Sequence, residues 1–193
     1  MISHQAVLLE ETIDQLSIRK DGLYVDGTFG RGGHSRQILK HLGPEGRLLA
    51  IDRDPDAVTV GEDLAAHDAR FLIEHESFGR LRSFLKKHGV FGKVNGILLD
   101  LGVSSPQLED ARRGFSFRLD GPLDMRMNPS DSQSAGDWLN SASEKEITKT
   151  REDMYKALSK VLSPTKLLKL YHAEMSFNKR LLSEFKKGKS GNK

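Results

Sequence analysis

A short apolar run that ends in a carboxylate and breaks at once into glycines constrains this chain more than any other segment. It reads Leu23-Tyr-Val-Asp26, with Gly27, Gly30, Gly32 and Gly33 before His34. Helical spacing follows in Ser35, Ile38, Leu39 and Leu42. Strand, glycine turn and helix in that order let α/β proteins bring backbone N–H groups and a helix N-terminus up to a nucleotide-like ligand. A Cβ in the turn would obstruct both positive φ and close ligand approach. The spacing, Asp-x-x-x-Gly-x-Gly-Gly, differs from the Gly-x-Gly-x-x-Gly of dinucleotide enzymes. Such a turn alone is also consistent with an ordinary loop, so its surroundings decide.

A second acid supplies those surroundings. Arg47-Leu-Leu-Ala-Ile51 reads as a buried parallel strand and ends at Asp52. Asp52 lies 20 residues after Gly32, about where a doubly wound fold places the acid that takes ribose hydroxyls. Asp54-Pro55-Asp56 then opens a helix, with proline suited to its first turn. Alternating Asp52, Asp54 and Asp56 also suggest an EF-hand loop, but Ala57 stands where that loop needs glycine and a strand precedes it. The third landmark is Ile97-Leu-Leu-Asp100, a strand core ending in an acid, followed by the small, polar turn Leu101-Gly-Val-Ser-Ser-Pro-Gln107. Ligands bind outside the carboxyl ends of strands in open α/β sheets, so Asp26, Asp52 and Asp100 are expected on one rim.

Four segments together resemble one family. They are Asp26-Gly-Thr-Phe-Gly-Arg-Gly-Gly-His-Ser35, Ala50-Ile-Asp-Arg-Asp-Pro55, Gly96-Ile-Leu-Leu-Asp-Leu-Gly-Val-Ser-Ser-Pro-Gln-Leu108, and Gly114-Phe-Ser-Phe117 with Asp120-Gly-Pro-Leu-Asp-Met-Arg-Met127. The family is the bacterial ribosomal RNA small-subunit methyltransferase H family, and the opening His4-Gln-Ala-Val-Leu-Leu-Glu10 is similar to its N-terminus. The resemblance covers about residues 1–147. It implies a class I, Rossmann-like α/β fold that uses S-adenosylmethionine to methylate N4 of a cytidine in 16S rRNA of the small ribosomal subunit. It also implies the site: Gly32, Gly33 and His34 in the cofactor turn, Asp52 on the ribose, Phe78 beside the adenine, and Asp100 and Gln107 as further cofactor contacts.

Many amino-methylating enzymes carry an Asp/Asn-Pro-Pro-aromatic turn after this strand. Here Asp100-Leu-Gly-Val-Ser-Ser-Pro106 lacks the aromatic. Methyl transfer to an amine depends mainly on aligning its lone pair with the sulfonium. Asp100 is the candidate catalytic acceptor for the amine protons, with a purely cofactor-binding role as the alternative.

Composition agrees with a cytoplasmic enzyme. Among 193 residues there is no cysteine, hence no disulfide framework or thiolate metal site, and no metal is expected. No apolar run approaches the roughly 20 residues a bilayer requires, no signal peptide is legible, and no membrane contact is expected. Charge is uneven. Residues 148–193 carry 12 Lys/Arg against 4 Asp/Glu, whereas 1–147 carry 18 against 23. The basic end suits phosphate contact or a solvated helical face. Arg112, Arg113, Arg118 and Arg126, clustered beyond the rim, are the stronger RNA candidates.

Periodicity predicts strands at 23–27, 47–52, 70–74 and 95–100, and helices at 8–16, 34–42, 55–66, 77–88, 133–139 and from about 143. Residues 101–132 read as loop-rich, and another helix is expected after Pro164. The organisation expected is a cofactor-binding core over 1–110, the start of a substrate region over 111–147, and a basic helical tail over 148–193. From Thr148 the family pattern stops, and no later strand-like run appears. The sheet is therefore expected to be incomplete, with a helical ending. An exposed edge beside Ile97 and Leu99 would be open to self-association. Two other classes fit less of the chain: a cofactor- or RNA-binding half-domain without turnover, and a nicotinamide-dependent oxidoreductase.

Overall fold

A computed structural model describes residues 8–158. Residues to Asp137 form one compact unit and those from Trp138 a second. In the first unit the chain runs α1 (Leu9–Leu16), β1 (Leu23–Asp26), α2 (Gly33–His41), β2 (Arg47–Asp52), α3 (Pro55–His67), β3 (Phe71–His75), α4 (Leu81–Lys87), β4 (Gly96–Leu98) and α5 (Ser105–Glu109). Helix α6 (Ala135–Ser141) spans the boundary between units, and α7 (Glu144–Leu158) belongs to the second. The helix expected after Pro164 lies outside the described residues.

The sheet is wholly parallel, in the order β3-β2-β1-β4. Its two central strands, β1 and β2, are almost wholly buried, as the middle of a parallel sheet requires. Alternate residues divide between two cores. Tyr24, Leu48, Ala50 and Phe71 face one way and pack with Ile13 of α1, Ile38 and Leu39 of α2 and Ala57 of α3. Val25, Leu49 and Ile51 face the other way, onto Phe84 and Leu85 of α4. Connectivity explains the division. From β1 to β3 the chain steps in one direction; it then returns past β1 to β4, and a right-handed crossover in the opposite sense places its helix on the opposite face. The switch point falls between β1 and β4, where the Rossmann-like arrangement opens a crevice.

Within the described residues the expected strands and helices are present, with local differences. Strand β4 ends at Leu98 because the Asp100 N–H turns away to the Thr28 hydroxyl (2.7 Å). The helix expected from 77 begins as a 3-10 turn, Phe78–Arg80, capped by Ser77 Oγ on the Gly79 N–H. Within the loop-rich stretch, Ser104 and Gln107 form a capping box that starts α5. Among the described residues β4 pairs only with β1, and Ile97 and Leu99 are each 45% exposed. Within the described residues, then, no strand lies on the outer side of β4.

Candidate functional site

The turn after β1 is held by its own acids. Asp26 accepts from the Thr28 N–H (3.0 Å) on one oxygen and from the Ser35 hydroxyl (2.7 Å) on the other. It thus ties the end of β1 to the first turn of α2. Contrary to expectation Asp26 is not on the rim but 1% exposed beneath it. Burial raises its pKa above the usual carboxylate value, against the opposing pull of the Ser35 and Thr28 bonds. Gly32 has φ 74°, and a Cβ there would meet the Phe29 ring at 2.6 Å. The Phe29 ring and the backbone conformation both bar a side chain there.

Asp52 stands at the end of β2, half-buried. One oxygen accepts the Gly30 N–H (2.7 Å) and the other the Asp54 N–H (2.8 Å). Asp52 therefore shapes the glycine turn as well as facing the crevice. A carboxylate offers about four acceptor positions, so both oxygens retain capacity for hydroxyl donors. Across the switch point, His34 Nδ1 lies 3.8 Å from Asp100 Oδ2, with His34 buried and Asp100 half-exposed. Phe78 is 49% exposed. It approaches Gly27, where an added Cβ would lie 3.6 Å from Phe78 Cβ and 2.5 Å from Leu99 Cδ2. Gly33 opens α2 and is exposed. The structure thus brings the turn, His34, Asp52, Phe78 and Asp100 to the carboxyl ends of the strands.

Gln107 has a different setting. It is buried, its side-chain oxygen accepts the Ser104 N–H (2.8 Å), and its amide donates to Asp54 Oδ2 (2.6 Å). Arg113 donates to the same Asp54 oxygen (3.0 Å) and to the Met127 carbonyl (2.8 Å). Asp54 also caps α3 through the Asp56 N–H (3.0 Å). One buried acid therefore fastens the 104–127 segment to the β2–α3 corner.

That arrangement removes Arg113 from the four arginines expected to meet RNA. Arg113 is buried in the Asp54 pair. Arg126 is forked onto Asp124 and bonded to the Asp131 carbonyl, and its hydrogen bonds hold Asp124 down to a pKa of about 2. Arg112 is paired with Asp110, likewise lowered to about 2. Arg118 alone among the four has no acid partner within the described residues.

An adenosyl sulfonium fits this rim in its donor and acceptor chemistry. Acceptors suited to ribose hydroxyls lie at Asp52, an aromatic face at Phe78, and a carboxylate able to face a cationic centre at Asp100. Among the described residues no group of three or more His, Asp or Glu could hold a metal ion. None of their helices is long and apolar enough to cross a membrane. Sequence reasoning missed the Thr28–Asp100 link and the Asp54 hub. The hub had a legible signal in the Asp54-Pro55 cap; the Thr28 contact had none, because the two residues meet only through β1–β4 pairing.

The family model for the MraW methylase family matches residues 1–157. Ribosomal RNA small subunit methyltransferase H of Coxiella burnetii is 60% identical over 147 residues, covering 76% of this chain and 48% of that protein. The protein of the same name from Shewanella denitrificans is 59% identical over 137 residues, covering 71% and 44%. The chain spans about half the length of the curated relatives it matches. A SAM-dependent methyltransferase from Aquifex aeolicus, known from a crystal structure, gives a TM-score of 0.30 at 18% identity, covering 35% of this chain and 36% of that one. A likeness of that size is too slight to bear on the fold.

Proposed function

The chain belongs to the MraW methylase family, and on that footing we propose that it binds S-adenosylmethionine and takes part in N4-methylation of a cytidine in 16S rRNA of the small ribosomal subunit, in the cytoplasm. The observation that carries this reading is the meeting of Gly32–His34, Asp52, Phe78 and Asp100 at one rim of the sheet. When bound, the cofactor supplies an electrophilic methyl on sulfur. The protein's share is positioning. Asp52 takes the ribose hydroxyls while bracing the turn, Phe78 covers the adenine, and Gly32 and Gly33 present backbone at the start of α2. Gln107 acts on the rim from behind, by fixing Asp54. Asp100 accepts hydrogen bonds from the exocyclic amine and relieves the charge that develops there.

Calorimetric titration with S-adenosylmethionine and NAD, followed by methyl transfer to undermethylated small subunits, tests the reading. Selective binding of S-adenosylmethionine with transfer supports it; tighter NAD binding overturns it. A second reading is a half-domain that holds cofactor or RNA without turnover. Binding without transfer would select it. The open β4 edge also supports self-association, which sedimentation at rising concentration reads directly.

A further inference from the structure

Phe117 is 97% exposed, the most exposed of the large apolar residues among those described. Leu119, Leu123 and Met125, in the same loop, each keep about half their surface covered, at 48%, 49% and 46% exposure. The ring does not sit on a frayed segment. The Met125 N–H donates to the Arg113 carbonyl (3.0 Å), closing the loop where Arg113 is anchored to Asp54. Gly114 has φ 74°, and a Cβ there would strike the Pro122 carbonyl; Gly121 lies as closely against the Ala111 carbonyl. At the tip, Ser116 Oγ accepts the N–H groups of Arg118 (3.3 Å) and Leu119 (3.1 Å). A pinned turn therefore holds a phenyl ring in solvent, its base on the acid that caps α3 beside the candidate rim.

We propose that Phe117 is a stacking platform for an unpaired RNA base, with Arg118 on the adjoining phosphate. This rests on the methyltransferase reading above and names the part of the substrate that the 114–125 loop meets. A fully bare ring can stack on a base, and stacking tolerates any base because each has a π face. The loop pays little ordering entropy, since its ends and tip are already bonded. Arg118 adjoins the ring in sequence with no acid partner among the described residues, whereas Arg112, Arg113 and Arg126 are committed to Asp110, Asp54 and Asp124. A protein partner would instead favour the half-covered Leu119, Leu123 and Met125.

The test uses the full chain and a short single-stranded RNA carrying 2-aminopurine, read by quenching and anisotropy. Phe117→Ala should weaken single-strand binding by roughly 5- to 150-fold, the range expected for a lost base–aromatic stack. It should also abolish the quenching, and Phe117→Tyr should keep both. Arg118→Ala should flatten the log affinity against log salt slope by about 0.7. A duplex of the same sequence should be insensitive to Phe117. Equal single-strand affinity in wild type and Phe117→Ala, or no RNA binding by wild type, overturns the proposal. So does a change confined to sedimentation, which would assign the ring to protein contact. Binding of S-adenosylmethionine in the same preparations separates the two readings: if it persists while Phe117 proves indifferent, only the stacking role falls.

Discussion

Gln107 and Asp54, 53 residues apart in the chain, are joined by a buried 2.6 Å hydrogen bond, and Arg113 completes the junction at 3.0 Å on the same oxygen. Removing one member of a buried ion pair leaves the other charge without compensation, which is destabilising by about 3–5 kcal/mol. Arg113→Ala should lose stability of that order in urea unfolding. Gln107→Ala, which removes a neutral donor to a charged group, should lose about 1–3 kcal/mol. A loss below about 1 kcal/mol for Arg113→Ala would show that the junction does not hold the 104–127 segment.

Asp26 predicts a pH dependence of definite sign. Its folded pKa is raised by burial above 3.8, so its favourable contribution is complete below that value and disappears as pH rises through the folded pKa. Asp26→Asn keeps an acceptor for the Thr28 N–H and can donate to Ser35 without titrating. The stability of Asp26→Asn relative to wild type should therefore increase with pH from acid towards neutrality. A difference that is flat with pH, or runs the other way, contradicts the assignment. Comparing the two proteins at each pH removes the opposite trend from Asp124 and Asp110, both lowered to about 2.

Asp52 and Phe78 should part company when mutated. Asp52 accepts two backbone N–H groups, so Asp52→Ala should weaken S-adenosylmethionine binding and also melt earlier, by about 1–3 kcal/mol of stability. Asp52→Asn turns its amide NH2, a donor, towards one of those N–H groups and is not a neutral control. Phe78 is 49% exposed, so Phe78→Ala should change stability by less than about 1 kcal/mol. It should nevertheless reduce cofactor affinity by about 1–2 kcal/mol through lost apolar area and ring contact. Thermal melts beside calorimetry distinguish these outcomes; unchanged affinity in Phe78→Ala would remove it from the site.

The open edge invites a charge. Ile97 is 45% exposed on β4, and a lysine on a bare edge discourages pairing with another chain. Ile97→Lys should shift sedimentation towards monomer at moderate concentration while changing stability by no more than about 1 kcal/mol. Persistent self-association in this variant would place the contact elsewhere.

The sheet and rim were legible because they are written locally. Continuous apolar runs announce parallel strands, and each rim acid stands at its strand's carboxyl end, Asp52 as the last residue of β2 and Asp100 two residues past β4. What escaped is what the fold assembles over distance. Arg113 looks like its exposed neighbour Arg112 in sequence; only the return of the chain to Asp54 buries one and leaves the other in solvent. Asp26 ends its strand as Asp52 does, yet Ser35 folds over it and takes it out of reach. Gln107 was legible only through the family motif; its capping box with Ser104 and its bond to Asp54 come from the structure.

The order of strands also sets an order in time. β1 first meets β2 at Leu23 and Arg47, and first meets β4 at Tyr24 and Gly96, a span three times as long. Closing the longer span carries about 1 kcal/mol more chain entropy, and contacts between distant residues slow folding. The β1-β2-β3 half, with Asp26 and Asp52 already seated, can form while the chain beyond it is still being synthesised. Thr28 must then wait for Asp100. The crevice is consequently a late joint between an early-folding half and a later arrival, and in kinetic experiments mutations at Gly96 should chiefly change the unfolding rate while those at Leu48 chiefly change the folding rate.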